Sequence, residues 1–177
     1  VPAMDVYVLP NNKNIVMAAE QAARLARTSG VRRIHVVPTT TIPQGISAMM
    51  AYDESAEIKD NVEAMQEAAS RVQSGSVTFA ARDSDYDGHQ IKEGELLALE
   101  NGKVAFTGTD LGSVTAKVAK DLMREDSQFI TLLYGAGVSE EQAADVEEAV
   151  RSLLPEEVEL TVAYGGQPVY YFLISVE

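Results

Sequence analysis

Asp5-Val-Tyr-Val-Leu9 is short, rich in β-branched and aromatic residues and stopped by Pro10, which marks a buried strand rather than a helix. Asn11 and Asn12 supply a turn. From Asn14 onward Ile15, Ala18, Ala19, Ala22, Ala23 and Leu25 fall near helical spacing, and Ser29-Gly30 ends the segment as a helix C-terminal stop would. Ile34-His-Val-Val37 is a second apolar strand, closed by Pro38. Strand, helix and strand in this order predict a β-α-β unit with parallel strands.

Thr39-Thr-Thr-Ile-Pro-Gln-Gly45 reads as a polar turn into a short apolar helix through Ile46, Met49 and Met50. A second helix is expected from about Ser55 to Val72, where Ile58, Val62, Met65 and Ala69 recur at intervals of three and four. Ser74-Gly75 breaks that pattern, and Val77-Thr-Phe-Ala80 reads as another strand. Beyond it the punctuation becomes denser: Asp87-Gly88, Glu93-Gly94 and Asn101-Gly102 separate short runs such as Leu96-Leu97 and Val104-Phe106, and Asn-Gly between such runs signals a hairpin. Helices over 111–123 and 139–154 and strands over 129–134, 158–163 and 169–176 complete the expectation. Ser139-Glu-Glu-Gln142 has the form of a capping box. The fold class read from this pattern is α/β, as two small lobes with largely parallel or mixed sheets. The first, over 1–80, is the β-α-β lobe, and the second, over 81–177, begins with a hairpin.

The chain has 177 residues, 27 acidic and 14 basic, a net charge of −13 and no cysteine. Disulfides, thiolate nucleophiles and Cys-based zinc sites are thereby excluded, and the composition fits a cytoplasmic protein. Nucleic-acid binding is not expected, because it needs clustered Lys and Arg against phosphate. No apolar run approaches the ~18 residues of a membrane span. Val1-Pro2 at the start, with no signal-peptide pattern, reads as a piece of a longer protein. Acid is concentrated between Asp121 and Glu159, where Arg124 and Arg151 are the sole basic residues. Such a stretch is either a solvated helix face or a surface for a basic partner.

Residue types able to do chemistry are scarce. His35 lies inside an apolar strand and reads as packed, while His89 reads as a turn residue; neither supports a triad. Asp83-Ser-Asp85-Tyr-Asp87-Gly88 imitates the first half of a calcium loop, but Gln90 stands where an aliphatic residue belongs and Gly94 where the closing Glu belongs. A polar hairpin connection is expected there. Gly135-Ala-Gly137 follows a strand and precedes a helix, yet lacks the third glycine of a dinucleotide fingerprint and any adjacent Lys-Ser or Lys-Thr. Asn11, Asn12, Asn14, Thr39, Thr40 and Thr41 follow strands, where open α/β sheets place ligands, and are equally ordinary caps and turn formers.

Three stretches together resemble one family: Val8-Leu-Pro-Asn-Asn-Lys-Asn-Ile15 with Ala18-Ala-Glu-Gln-Ala22, Val36-Val-Pro-Thr-Thr-Thr-Ile-Pro-Gln-Gly45, and Gly165-Gly-Gln-Pro-Val-Tyr170. Ala81-Arg-Asp83 through Gly88 and Ile91-Lys-Glu-Gly94 add a central hairpin to the likeness. The family is the kinase subunit of bacterial fatty-acid kinase, and the chain resembles its C-terminal domain. The resemblance implies an ATP-binding kinase domain and a dimer-forming middle domain elsewhere in the parent protein. ATP and Mg would then be held there, no cofactor or metal here, and the isolated domain would be a monomer without catalysis. The C-terminal domain is in turn similar to DegV-type fatty-acid-binding proteins, which present the acyl chain to the kinase. In those proteins a Ser-rich loop and basic or His residues hold the acyl carboxylate, and by that similarity Pro10-Asn-Asn12 and Pro38-Thr-Thr40 occupy comparable post-strand turns. Lys103 is the sole basic residue where a basic segment is expected, and Asp110 would repel a carboxylate. The reading is of a vestigial ligand cleft kept for protein contact.

The expected function is docking of the acyl-binding protein, in which acidic surface meets basic residues of the partner and so supports acyl-phosphate formation by the parent enzyme. Asp53, Glu54, Glu57, Asp83, Asp85 and Asp87 are the candidate contacts, because they sit in turns or at a helix start. The alternative is a carrier of a fatty acid or other small molecule in a cleft between the lobes.

Overall fold

The computed structural model describes residues 3–30, 32–86 and 89–177, which divide into two compact units, Val1–Val72 and Gln73–Glu177. In the first unit β1 (Asp5–Val8) pairs in parallel with β2 (Arg33–Val36), joined by α1 (Lys13–Ser29). Asn12 caps α1 by accepting from the Asn14 amide at 2.9 Å, and Gly30 ends it at φ 68°, a conformation open to glycine at little cost. α2 (Ile42–Met50) and α3 (Ile58–Arg71) follow. Ala48, Met65 and Ala69 on these helices form a small core with Val37, against which Tyr7 and Leu9 pack.

The second unit is built on a six-stranded mixed sheet in the order β7-β6-β3-β10-β8-β9. Its strands are β3 (Gln73–Phe79), β6 (Leu96–Glu100), β7 (Lys103–Gly108), β8 (Phe129–Tyr134), β9 (Glu159–Tyr164) and β10 (Phe172–Val176). All pairings are antiparallel except β8 with β9, which α5 (Glu140–Arg151) connects. A two-stranded hairpin, β4 (Ser84–Tyr86) and β5 (His89–Ile91), stands apart from the sheet. α4 (Leu111–Leu122) and α5 supply Val114, Val118, Leu122, Val146 and Val150 to one core with Val77, Ile130, Leu132, Phe172 and Ile174. The expected capping box is present at α5, with Ser139 and Gln142 each serving the other's backbone.

Three sequence expectations shift. Ser74-Gly75, read as a break, lies within β3, because that strand takes β10 and β6 as antiparallel partners. The division expected at residue 80 therefore lies before β3, which belongs to the second unit. Val169–Tyr171, expected to begin the last strand, precede it, because Pro168 has no amide to donate and Val169 turns to φ 72°. Asn101-Gly102 forms its hairpin as expected, with both residues at positive φ.

Gly75 marks a close approach of α4 to the sheet. A Cβ built there would lie 2.5 Å from Val118 Cγ1 and 2.9 Å from Leu122 Cδ1, both on α4, with Ile174 Cβ at 3.2 Å. Gly75→Ala should destabilise by about 1–3 kcal/mol, the usual cost of overpacking a tight core. Urea denaturation should show a lower midpoint at unchanged slope.

Candidate functional site

In the first unit the turns after β1 and β2 interlock. Thr39, 1% exposed, donates from Oγ1 to Asn11 Oδ1 at 2.7 Å and accepts from the Asn11 amide at 3.2 Å. Asn11 holds φ 53°, and its amide group lies where a Cβ on residue 45 would stand, 2.1 Å from Oδ1, so Gly45 is required for the close approach. Thr40 donates its amide and hydroxyl to Gln44 Oε1, at 2.8 and 2.9 Å. Thr41 caps α2 by accepting from the Gln44 amide, and Asn12 serves the start of α1 together with Asn14. Of the six post-strand residues the structure thus brings Asn11 and Thr39 together and spends the others on helix starts. The polar groups of Asn11 and Thr39 satisfy one another.

Two of the surface grooves among the described residues lie in this unit. One, of about 270 Å³, is lined by Val37, Pro38, Gln44, Gln66, Ala69 and Ser70 and has no charged group to take a carboxylate. The other, of about 260 Å³, has Ala23, Ile34 and Val36 as its apolar lining. Arg24 and Arg27 border it, but Glu20 does too, and its carboxylate sits 3.6 Å from Arg24.

The acidic candidates fall into two groups, one in each unit. Asp53 accepts from the Ser55 amide and hydroxyl at 2.8 and 2.7 Å, and these hydrogen bonds hold its carboxyl below the usual aspartate range. Asn61, buried, bonds the Asp53 backbone on both sides. Asp53 is therefore the keystone of the turn before α3, and Glu54 and Glu57 are exposed beside it. In the second unit Asp83 accepts from the Glu93 amide at 2.8 Å and from Lys92 Nζ at 3.4 Å; the backbone bond and then the Lys92 charge lower its pKa. This ties the two arms of the β4-β5 hairpin, so the stretch that imitates a calcium loop is a hairpin connection. Asp85 is exposed on β4, and Asp87 lies outside the described residues. Among the described residues no cluster of three or more acids and histidines could hold a metal ion.

Sequence reasoning passed over a second cluster, at the end of the large sheet where β8 and β9 finish and β10 begins. The segment 165–171 is pinned on all sides. The Gly165 and Gly166 amides donate to Tyr134 O, the Ala136 amide to Gln167 O, the Gly135 amide to Tyr171 O, and Gln167 Nε2 to Leu133 O at 2.8 Å. Thr78, buried on β3, donates from Oγ1 to Val169 O at 2.8 Å. The Tyr170 amide closes a three-residue turn on Pro168 O at 2.8 Å, with Val169 at its centre and φ 72°. Turns of this hand are strained, and a β-branched residue in one costs about 1–3 kcal/mol. Gly135 fits because a Cβ there would stand 2.2 Å from Tyr170 O and 2.7 Å from Gln167 O. The Gly135-Ala-Gly137 turn is thus filled by the protein's own backbone, and it does not suit a phosphate. Nothing in the sequence beyond the Gly165-to-Tyr170 motif itself pointed to Val169.

His35 Nε2 lies 2.9 Å from Asp5 Oδ1, and Arg33 donates to both oxygens of the same carboxylate at 2.7 and 2.5 Å. The half-buried histidine and Arg33 thus share the Asp5 carboxylate across β1 and β2.

These features define an α/β protein whose fold has parallels among solved structures. The DegV family protein Cg2579 of Corynebacterium glutamicum matches 98% of the chain and 73% of its own with a TM-score of 0.66 at 14% identity. The fatty acid kinase B3 protein of Streptococcus pneumoniae, solved with linoleic acid, matches 99% of the chain and 72% of its own at 0.64 and 12%. The dihydroxyacetone kinase of C. freundii, solved with AMP-PNP and Mg2+, matches 96% and 38% at 0.71 and 15%. Residues 1–177 match the FakA-like C-terminal family, the C-terminal domain of the fatty acid kinase protein FakA and its relatives, and the chain belongs to that family. YloV of Bacillus subtilis is 37% identical over 177 residues, and a Staphylococcus haemolyticus protein is 41% identical over 170, or 96% of the chain. The chain spans 31% and 30% of the length of these two relatives.

The Arg33 hydrogen bond, then that of His35, holds the Asp5 carboxyl at about 2, below the ordinary 3.8. A depressed folded pKa contributes stability that is present above 3.8 and lost as pH falls through about 2. Asp5→Asn should therefore lower Tm at neutral pH, and the gap to wild type should close between pH 4 and 2 (roughly the window set by linkage). Thermal melts across that range check it.

Proposed function

We propose that this domain performs no chemistry of its own and docks the acyl-binding, DegV-type protein for the kinase of which it is part, with ATP and Mg held elsewhere in that kinase. The observation that carries the reading is the placement of charge. The second unit holds 19 of the 27 acidic residues but 7 of the 14 basic ones, whereas the first holds 8 and 7. The acids from Asp121 to Glu159 are all exposed. A surface of one sign raises the encounter rate with a partner of the other sign and orients it.

The carrier reading has less support, since Asn11 and Thr39 are engaged with each other, Thr40 with Gln44, and the groove beside Val37 has no charged group. The linoleic acid bound by the Streptococcus pneumoniae protein belongs to that protein. By charge, the partner face suited to this domain is basic. No described helix is long and apolar enough to cross a membrane.

Titration calorimetry with an acyl-loaded DegV-type protein of the same organism, at low and high salt, should show binding that weakens as salt rises. Asp85→Lys should weaken it a further two- to tenfold (roughly the range for one surface charge pair and its reversal) with an unchanged melting curve. Binding that ignores salt and the Asp85 reversal would remove the acidic hairpin from the interface.

A further inference from the structure

Val169 carries a contradiction that packing does not explain. Its backbone is held in a strained positive-φ turn, yet its side chain is 62% exposed, so the strain does not serve to bury it. Glycine would adopt φ 72° freely, and Gly165 and Gly166 stand nearby. The hydrogen bonds made by Thr78, Gly135 and Gln167 hold the turn rigid. What the arrangement achieves is presentation of a branched apolar side chain to solvent in one orientation.

Val169 is not alone at this end of the sheet. Tyr164, at the end of β9, is 64% exposed; its ring lies 5.3 Å from that of Tyr134 and covers Gly166. Tyr170 and Phe79 are also exposed, and the Phe79 ring leans on Tyr171 at 5.8 Å. The hairpin roots one residue beyond Phe79, where Ala80 donates its amide to Glu95 O and accepts from the Gly94 amide. Asp83, Asp85, Glu93 and Glu95, with Arg82 and Lys92 as the intervening cations, lie on the two arms that leave this root. An apolar, tyrosine-rich centre held rigid and bordered by charge is the composition of a protein-binding face.

We infer that Phe79, Tyr164, Val169 and Tyr170 form the centre of the docking face and that its occupant is the acyl-binding protein, through an apolar surface ringed by Lys and Arg. This rests on the docking reading above and adds the place and the chemistry of the contact. Strain at Val169 is then a device of preorganisation, since a side chain already fixed loses less freedom on binding.

Val169→Gly and Tyr164→Ala separate binding from folding. The glycine variant keeps the turn and relieves its strain, so its Tm should match or exceed that of wild type, while its affinity for the acyl-loaded DegV-type protein falls about tenfold or more. Tyr164→Ala should lose affinity comparably, with far-ultraviolet circular dichroism unchanged. If the wild-type domain binds and both variants bind as tightly as it does, this assignment is overturned while docking through the acidic surface stands. A Tm fall alongside the affinity loss of Val169→Gly would make Val169 a structural residue and overturn it equally. No binding by the wild-type domain would sink the docking reading and this inference with it. Self-association that Val169→Gly abolishes, seen by sedimentation, would assign the face to a second copy instead.

Discussion

Phe172 to Val176 are buried along their whole length and pair antiparallel with β3 on one side and β8 on the other. A strand hidden on both faces and both edges can shift register only by breaking two ladders and unseating Phe172, Ile174 and Val176 from the core. Its position therefore dictates where β3 and β8 end. It also fixes the entry point of the chain that leads into it, which is why the segment 165–171 has no room to wander: Gly135, Gln167 and Thr78 hold it where β10 must begin. The strained turn at Val169 is stable because a buried strand follows it and a buried threonine grips it.

The two units use polar groups differently. In the smaller, Asn11 and Thr39 after the strands turn inward on one another, with Gly45 cleared to let them meet. In the larger, the Ser and Gln side chains cap helices and tether loops, and the acids from Asp121 to Glu159 remain in solvent. A chain that ties up its ligand-like groups and displays its charges is suited to recognition of a surface.

Much of this was legible in the residues. The β-α-β opening, the Gly30 stop, the Asn101-Gly102 hairpin and the Ser139 capping box all follow from local rules of turn and cap chemistry, and each formed as read. Gly75 misled because glycine in a strand can mark close packing as well as a break, and only the position of Val118 and Leu122 distinguishes the two. Val169 misled for the opposite reason: a β-branched residue beside Tyr170 and Tyr171 has every local preference for a strand. The turn there is imposed by Pro168 and by partners far along the chain, Thr78 above all, so no window of neighbouring residues contains it. The docking candidates in the hairpin and before α3 were chosen as exposed acids in turns, and exposure was legible where the structural use of Asp53 and Asp83 was not.

Hydrogen exchange of the domain, alone and with the acyl-loaded DegV-type protein, tests the central claim most directly, because it reads the footprint without altering a residue. The account predicts slowed exchange over 165–171 and over the hairpin between Ala80 and Leu96. Unchanged exchange there, or protection confined to residues 1–72, would contradict it.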